Sequence, residues 1–373
     1  MGNPALRVLF LPLYPETMPS SRLRVYQYLP YLERFGIDAA VLPALREPWF
    51  SKFFYSSSKG VHFIQYVTEA LQNLGRIVRS RSYDVVFIQK GILYTNLRGF
   101  DRLLTRAHSR ILFDLDDSVY GRNLVEFGWP LLRKLQDARQ AEKISSRSNA
   151  VIAGNSYLKE LALRYNRNVF VTPTPVETNR FLPRKTKPKR EGDEVVIGWI
   201  GISSRVAYLG RLEKVFQELS RRYPIRFRLI TRPRQEPFVW RGVRVDVIPW
   251  SYESEVKDLA EFDIGVMPLD DDEWSRGKCS LKLLQYMAMG IPSVSSRVGS
   301  NVEIIEEGSD GFLASETEEW VEKLSRLIED RSLGEKMGQA ARRKVVEEYS
   351  LEKMAPRLAE VLKGVGSPAE VSF

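Results

Sequence analysis

The sequence predicts an α/β protein made of two doubly wound parallel-sheet, Rossmann-like domains facing a cleft. Three observations carry that reading. Short β-branched or aromatic runs alternate with stretches of helical period, the pattern of βαβ units. The alternation stops once, at residues 173–194, where prolines and the cluster Arg184, Lys185, Lys187, Lys189 and Arg190 read as a linker, and then it resumes. Charge divides at the same place. Residues 1–190 hold 30 Lys and Arg against 15 Asp and Glu, whereas residues 191–373 hold 26 against 32, as expected of two domains with different partners. The expected organisation is a first domain at 1–172, the linker at 173–194, a second domain at 195–350, and a helical tail at 351–373 that packs back on the first domain.

In the first domain, strands are expected at 7–11, 38–42, 85–89, 111–115, 150–153 and 169–171, each a short apolar or β-branched run. Helices are expected at 23–35, 63–78 and 131–146. Between them, residues 48–59 read as a loop in which Trp49, Phe50, Phe53, Phe54 and Tyr55 stand near Lys52 and Lys59. That mixture suits an anionic membrane surface, or a hydrophobic loop folded back over the sheet. In the second domain, strands are expected at 195–200, 226–230, 243–247, 263–267 and 292–295, with helices at 319–329, 333–349 and 351–362.

Composition removes several function classes. With 43% hydrophobic and 28% charged residues, the chain is an ordinary globular protein. The one cysteine, Cys279, allows no intrachain disulfide and no cysteine metal cluster. His62 and His108 match no zinc spacing. No apolar run approaches the roughly 18–20 residues that span a bilayer. The start, with Pro12 and Pro15 breaking its apolar run, is a buried strand and not a signal peptide. The expected location is therefore cytoplasmic, either free or peripheral on the inner face of the plasma membrane. The basic first half carries no nucleic-acid motif, so nucleic acid is not an expected partner.

Three strand-to-helix turns are candidate anion sites. The first follows the strand at 195–200: Gly201, Ser203, Ser204 and Arg205 combine close backbone approach, a helix cap and a charge, or form a packing turn with an ordinary cap. The second runs from Asp270 to Pro292. There Ser280 is expected to cap a helix with apolar Leu281, Leu284 and Ala288, while Lys278 lies in the loop before it and Lys282 and Gln285 lie near its start. Lysines in a first turn oppose the macrodipole unless an anion is present. The third opens the chain, where Ser20 or Ser21 caps a helix and Arg22 and Arg24 crowd its first turn, which suits a bound anion or leaves the arginines pointing into water.

Asp114, Asp116 and Asp117 stand at the carboxyl end of the strand at 111–115. Carboxylates clustered at a strand mouth repel, so such a cluster holds a polar ligand or a cation, or is bonded to backbone N–H groups. The stretch resembles the first motif of haloacid-dehalogenase-type phosphatases, which bind Mg²⁺ and use the first Asp as nucleophile. That motif normally follows the first strand of its domain, and here it sits late.

Together the pieces resemble the group 1 (family 4) glycosyltransferases of the two-Rossmann GT-B fold. The residues that carry the resemblance are 262–269, Arg276-Gly277-Lys278-Cys279, 282–288, Gly290-Ile291-Pro292, Val298-Gly299-Ser300-Asn301, 308–313, Gly198-Trp199-Ile200-Gly201, Tyr349-Ser350 and 114–120. The resemblance implies a nucleotide-sugar donor in the second domain and a glycan, lipid-linked or other hydroxyl acceptor in the first. It further implies transfer with retention of configuration, without metal or other cofactor. In this frame Lys278, Arg205, Asp116 and Asp117 are the catalytic candidates. Gly201, Ser203, Ser204, Ser280, Leu281, Lys282 and Gln285 are the donor-side candidates, and Ser20, Ser21, Arg22 and Asp114 serve acceptor or anion. The chain departs from the family pattern. Gly277 and Gln285 stand where the family has two glutamates, Ile202 stands where it has an arginine, and the region of Asp114–Asp117 replaces a histidine. A catalytically inactive protein that only binds a nucleotide sugar or glycan is the alternative, with the Mg²⁺ phosphatase behind it.

Overall fold

The computed structural model describes residues 5–54, 56, 58–120, 133–183, 193–232 and 238–367. The chain divides into two compact units: Met1–Pro175 with Gly277–Cys279 and Leu351–Phe373, and Val176–Arg276 with Ser280–Ser350.

In the first unit, β1 (Leu6–Pro12), β2 (Ile37–Val41), β3 (Val85–Gln89), β4 (Ile111–Leu115), β5 (Ala150–Ala153) and β6 (Val169–Val171) form one parallel sheet in the order β2-β1-β3-β4-β5-β6. Strands covered on both faces read as near-continuous apolar runs, and all of Val85–Gln89 and Ile111–Leu115 is buried, with Gln89 and Asp114 the polar exceptions. One face packs Leu9, Val86, Ile88 and Phe113 against Leu104, Ile144 and Leu158. The other packs Val8, Phe10, Phe87 and Leu112 against Val25, Tyr28, Met354 and Leu358. The helix Leu351–Gly366 thus belongs to the first sheet's core.

In the second unit, β7 (Val195–Ile200), β8 (Ile225–Thr231), β9 (Val245–Pro249), β10 (Ile264–Met267), β11 (Ser293–Ser296) and β12 (Phe312–Ala314) make a second parallel sheet in the order β12-β11-β10-β7-β8-β9. Its faces pack Trp199, Phe216, Phe227 and Trp320 on one side and Phe262, Leu284, Tyr286 and Tyr349 on the other.

Several elements differ from expectation. The helix expected at 23–35 is three short pieces, Pro19–Arg24, Tyr26–Tyr28 and Leu29–Arg34. The last begins with proline in its first turn, where a missing N–H costs nothing. Residues 48–59 are not a loop: Trp49–Phe54 is helical, a second helix spans Lys59–Ser80, and Phe50 is buried with Leu13, Tyr14 and Leu45. Of the helix expected at 131–146, residues 133–134 and Gln140–Arg147 are helical, and residues 131 and 132 lie outside the described residues. Strand β12, pairing Phe312 with Val294, was not expected. The basic cluster of the linker, from Arg184 to Arg190, lies outside the described residues, as do Tyr55 and the side chains of Phe53, Phe54, Lys59, Ser203 and Ser204.

Candidate functional site

In each sheet the strand order reverses beside the unit's first strand, between β1 and β3 and between β7 and β10. Ligands of open α/β sheets sit beyond the carboxyl ends of the strands at such a switch point. The two places are described in turn.

In the first unit, Pro12, Gln89 and Asp114 lie side by side in register on β1, β3 and β4. Asp114 is fully buried and both of its oxygens accept from Arg24, with Nε at 3.0 Å from Oδ2 and Nη2 on Oδ1. Arg24 Nη1 donates to the Thr172 carbonyl at 2.8 Å. Burial opposes the charge on Arg24, but the Asp114 carboxylate outweighs it and holds the guanidinium protonated well above its ordinary range. Ser21 also faces inward. Its Oγ donates to Gln89 Oε1 at 2.9 Å and accepts from Tyr14 N–H at 3.2 Å. The expectation of a serine-capped helix with Arg24 ready for an anion is therefore corrected. No side chain caps the helix Pro19–Arg24, Ser21 bonds to β3, and Arg24 is engaged by Asp114. Arg22 is half-buried.

Beyond the strand ends, Ser20 Oγ donates to Asp116 Oδ2, and Gln89 Nε2 donates to Ser20 Oγ at 2.8 Å and to Asp116 Oδ1 at 3.3 Å. Lys90 Nζ lies 3.7 Å from Asp116 and 3.3 Å from Asp117. Burial alone would push the Asp116 carboxyl up; Lys90, Ser20 and Arg24 outweigh it and hold the group below its usual range. Lys90 has φ 68°, a left-handed backbone that costs a non-glycine residue of order 1–3 kcal/mol and clusters at functional sites. Gln89 and Lys90 are site residues that the sequence reading missed. Their signal was present, a polar pair ending the apolar run Val85–Ile88, the same signature that marked Asp116.

The segment Gly277–Cys279 groups with this unit. Asn155, which caps the helix Ser156–Leu163 by accepting from Leu158 N–H at 2.8 Å, donates from Nδ2 to the Lys278 carbonyl at 3.0 Å. Cys279 Sγ donates to the Asp116 carbonyl at 3.2 Å. Two glycines admit the segment. A Cβ on Gly277 would stand 2.7 Å from Ser118 Cβ, and one on Gly154 would overlap Cys279 Sγ. Burial pushes the Cys279 thiol up to about 12, so it is a packing group and not a nucleophile. Lys278 is half-buried on this fixed backbone.

In the second unit, β7 ends at Ile200 and the chain turns through Gly201 into the 3₁₀ run Ser203–Leu212. Gly201 is required here by close approach: a Cβ would overlap the Trp199 ring and come within 2.8 Å of Lys282 Cε. Lys282 Nζ lies 5.1 Å over the Trp199 ring, and the Arg205 guanidinium lies 4.9 Å over Trp274. Ser280 does not cap the helix Leu281–Ala288, contrary to expectation. It has φ 50°, and its hydroxyl donates to Asn301 Oδ1 at 2.7 Å instead of bonding to the helix. Leu281, at the first position of this helix, is half-buried. Gln285 is buried and its Nε2 donates to Glu255 Oε1 at 3.3 Å, while Arg180 pairs with the other Glu255 oxygen at 2.9 Å. The acidic run beyond β10 is occupied locally: Asp271 pairs with Arg276 at 2.7 Å, and Asp272 accepts from Ser275 N–H.

Among the described residues, no three His, Cys, Asp or Glu side chains group as metal ligands. His62 bonds to the Ser56 carbonyl and His108 to the Tyr83 carbonyl, each away from both switch points. A cavity of about 670 Å³ in the first unit lies instead at the amino ends of β4–β6, lined by Arg110, Asn149, Asn168 and Arg357.

Comparison with known proteins agrees with this geometry. A family model described as glycosyl transferases group 1 matches residues 194–330. A probable sucrose-phosphate synthase of Thermosipho melanesiensis is 25% identical over 209 residues, 52% of this chain and 47% of that protein. An N-acetyl-alpha-D-glucosaminyl L-malate synthase of Bacillus anthracis is 36% identical over 76 residues, 20% of each. The chain thus spans less than half the length of these curated relatives. Among solved structures, the Anabaena HepE protein in complex with UDP and glucose aligns with TM-score 0.64 at 14% identity, covering 96% of this chain and 99% of that one. The sucrose-phosphate synthase of Thermosynechococcus elongatus aligns with TM-score 0.68 at 12% identity, covering 96% and 99%. The fold is that of the GT-B glycosyltransferases, and the resemblance to group 1 holds for residues 194–330.

Proposed function

We propose that the chain is a glycosyltransferase that moves a sugar from a nucleotide-sugar donor to a hydroxyl of a glycan or lipid-linked acceptor, with retention and without metal. The observation that carries the reading is the group 1 match over 194–330, which spans β7 to β12 and so includes both turns singled out at the second switch point. The solved neighbours include one protein in complex with UDP and glucose, which supports a nucleoside-diphosphate sugar as donor.

In this reading the second unit holds the donor. The N-terminus of the helix Leu281–Ala288, with Lys282, Arg205 and the close backbone at Gly201, receives the diphosphate, and Gln285 stands near the ribose. The first unit holds the acceptor hydroxyl through Asp116, Asp117, Ser20 and Lys90. The bond from the sugar's anomeric carbon to the diphosphate oxygen breaks as the acceptor oxygen bonds to the same face. The acceptor's proton passes to the departing phosphate oxygen, and a nucleoside diphosphate leaves. Negative charge grows on that phosphate, and Lys278 is the cation that stabilises it in the transition state. Such chemistry needs positioning and charge more than a nucleophile. The phosphatase reading is disfavoured because both oxygens of Asp114, its would-be nucleophile, are bonded to Arg24.

The test is incubation of the purified chain with radiolabelled nucleotide sugars. Release of labelled sugar to water or to an added glycan, without divalent metal and abolished in Lys278→Ala, supports the reading. Donor binding without release in any condition favours the inactive alternative.

A further inference from the structure

The helix Lys59–Ser80 is packed inside out. Its inner stripe is largely polar: Gln65, Glu69, Asn73, Arg76 and Ser80, spaced by four, four, three and four residues, are all buried, with Tyr66 and Ile77 the buried apolar residues beside them. Its outer stripe is apolar: Ile64, Val67, Leu71, Leu74 and Val78 are all exposed, Leu71 and Val78 by 63% and 64%. A surface helix of a globular protein ordinarily shows the reverse. The inversion has a cause. The Glu69 carboxylate accepts from the backbone N–H groups of Tyr94 and Thr95, and Arg76 Nη1 donates to the Ile92 carbonyl at 2.8 Å. The polar face therefore holds the loop that follows Lys90, and the apolar face is left outward along roughly 21 Å of helix.

We propose that this outer face docks the protein on an anionic phospholipid bilayer. Charge chooses the occupant. Glu69 is the only acidic residue of the helix, and it is buried, while Arg79 and Arg81 are exposed at its carboxyl end. The helix packed beside it, Phe100–Ala107, repeats the pattern. Its one acid, Asp101, is buried and paired with Arg147, and Arg102, Leu103 and Arg106 are exposed. An apolar stripe edged by arginines, with every acid of both helices turned inward, fits the boundary between acyl chains and anionic headgroups. No described helix is long and apolar enough to cross a membrane, so the helix lies on the surface. The inference is independent of the transferase reading, because vesicle binding is measured without donor or acceptor.

Flotation of the full chain with phosphatidylglycerol-containing or pure phosphatidylcholine vesicles tests it. The expected result is flotation with the anionic vesicles, reduced by salt, and little with the neutral ones. Leu71→Gln/Val78→Gln should lower binding at least about tenfold, and Arg79→Gln/Arg81→Gln about tenfold or more. Unchanged thermal unfolding of these surface variants certifies the fold. Three results would each overturn the proposal: no flotation of the wild type with anionic vesicles at low salt, equal flotation of the Leu71→Gln/Val78→Gln variant, or a wild-type dimer that this variant dissociates while vesicles bind neither protein.

Discussion

Replacing Arg24 with methionine separates two roles that its sequence position allows, anion binding and structural ion pairing. The side chains of Arg24 and Asp114 are 2% and 0% exposed. Arg24 makes two bonds to the carboxylate and one to the Thr172 carbonyl, so its loss leaves a dry, unpaired carboxylate in the centre of the sheet. Breaking one side of such a pair costs about 3–5 kcal/mol, a large part of the roughly 5–15 kcal/mol that stabilises a domain. The cost should depend on pH. Burial holds the Asp114 folded pKa above its unfolded value even beside Arg24, and without the counter-charge it rises further. Between the wild-type and variant folded values only the variant's folded state holds the extra proton, so the variant loses stability relative to wild type as pH rises through that window. Urea unfolding followed by circular dichroism at several pH values measures both effects. Adding Asp114→Leu should recover most of the loss, because a buried pair replaced by apolar groups is often neutral. A cost below about 1 kcal/mol for Arg24→Met, or a double variant no more stable than the single, would refute the structural assignment.

Other predictions follow the same logic. Lys278→Ala should lower kcat about 10²–10³-fold with unfolding unchanged, while His62→Ala and His108→Ala stay within about threefold; steady-state kinetics decide, and a Lys278→Ala enzyme above about a third of wild-type kcat removes the assignment. Burial pushes the Glu69 carboxyl up to about 7 from an unfolded 4.5. The folded state thus holds a proton the unfolded one has lost, and stability should fall by about 3 kcal/mol as pH rises through that window; a pH series of urea titrations in which Glu69→Gln leaves the slope unchanged would contradict this. Gly277→Val should displace the segment before Ser280, because even a Cβ there meets Ser118 at 2.7 Å; the readout is a loss of kcat larger than the loss of stability, and wild-type kinetics would refute it.

The central strands were legible because they are covered on each face, so runs such as Val85–Ile88 and Ile111–Phe113 are apolar without interruption. Five of the eleven expected strands, at 85–89, 111–115, 150–153, 169–171 and 195–200, coincide with the observed ones; five more, at 7–11, 38–42, 226–230, 263–267 and 292–295, do so within one residue at each end, and 243–247 is displaced by two. Strand β12 escaped because its three residues follow a glycine turn, Gly308 to Gly311, and pair only through contact with β11. The polar chemistry was legible as residue types but not as partners. Asp114 and Arg24 are 90 positions apart and Ser20 and Asp116 are 96 apart, and only the sheet register brings them together. The helix at 59–80 shows the other limit. Its periodicity was readable, but which stripe faces inward depends on backbone donors at Tyr94 and Thr95 that no local pattern announces.

The central claim is that this chain binds and uses a nucleoside-diphosphate sugar, and its most direct test is thermal unfolding against UDP-, GDP-, ADP- and dTDP-sugars without divalent metal. The account predicts that one donor class raises the unfolding temperature, with apparent stability increasing by about 2.7 kcal/mol at 100 times its Kd, and that Lys282→Ala with Arg205→Ala weakens the effect. No shift with any member of the panel, at concentrations up to saturation of the assay, would contradict it.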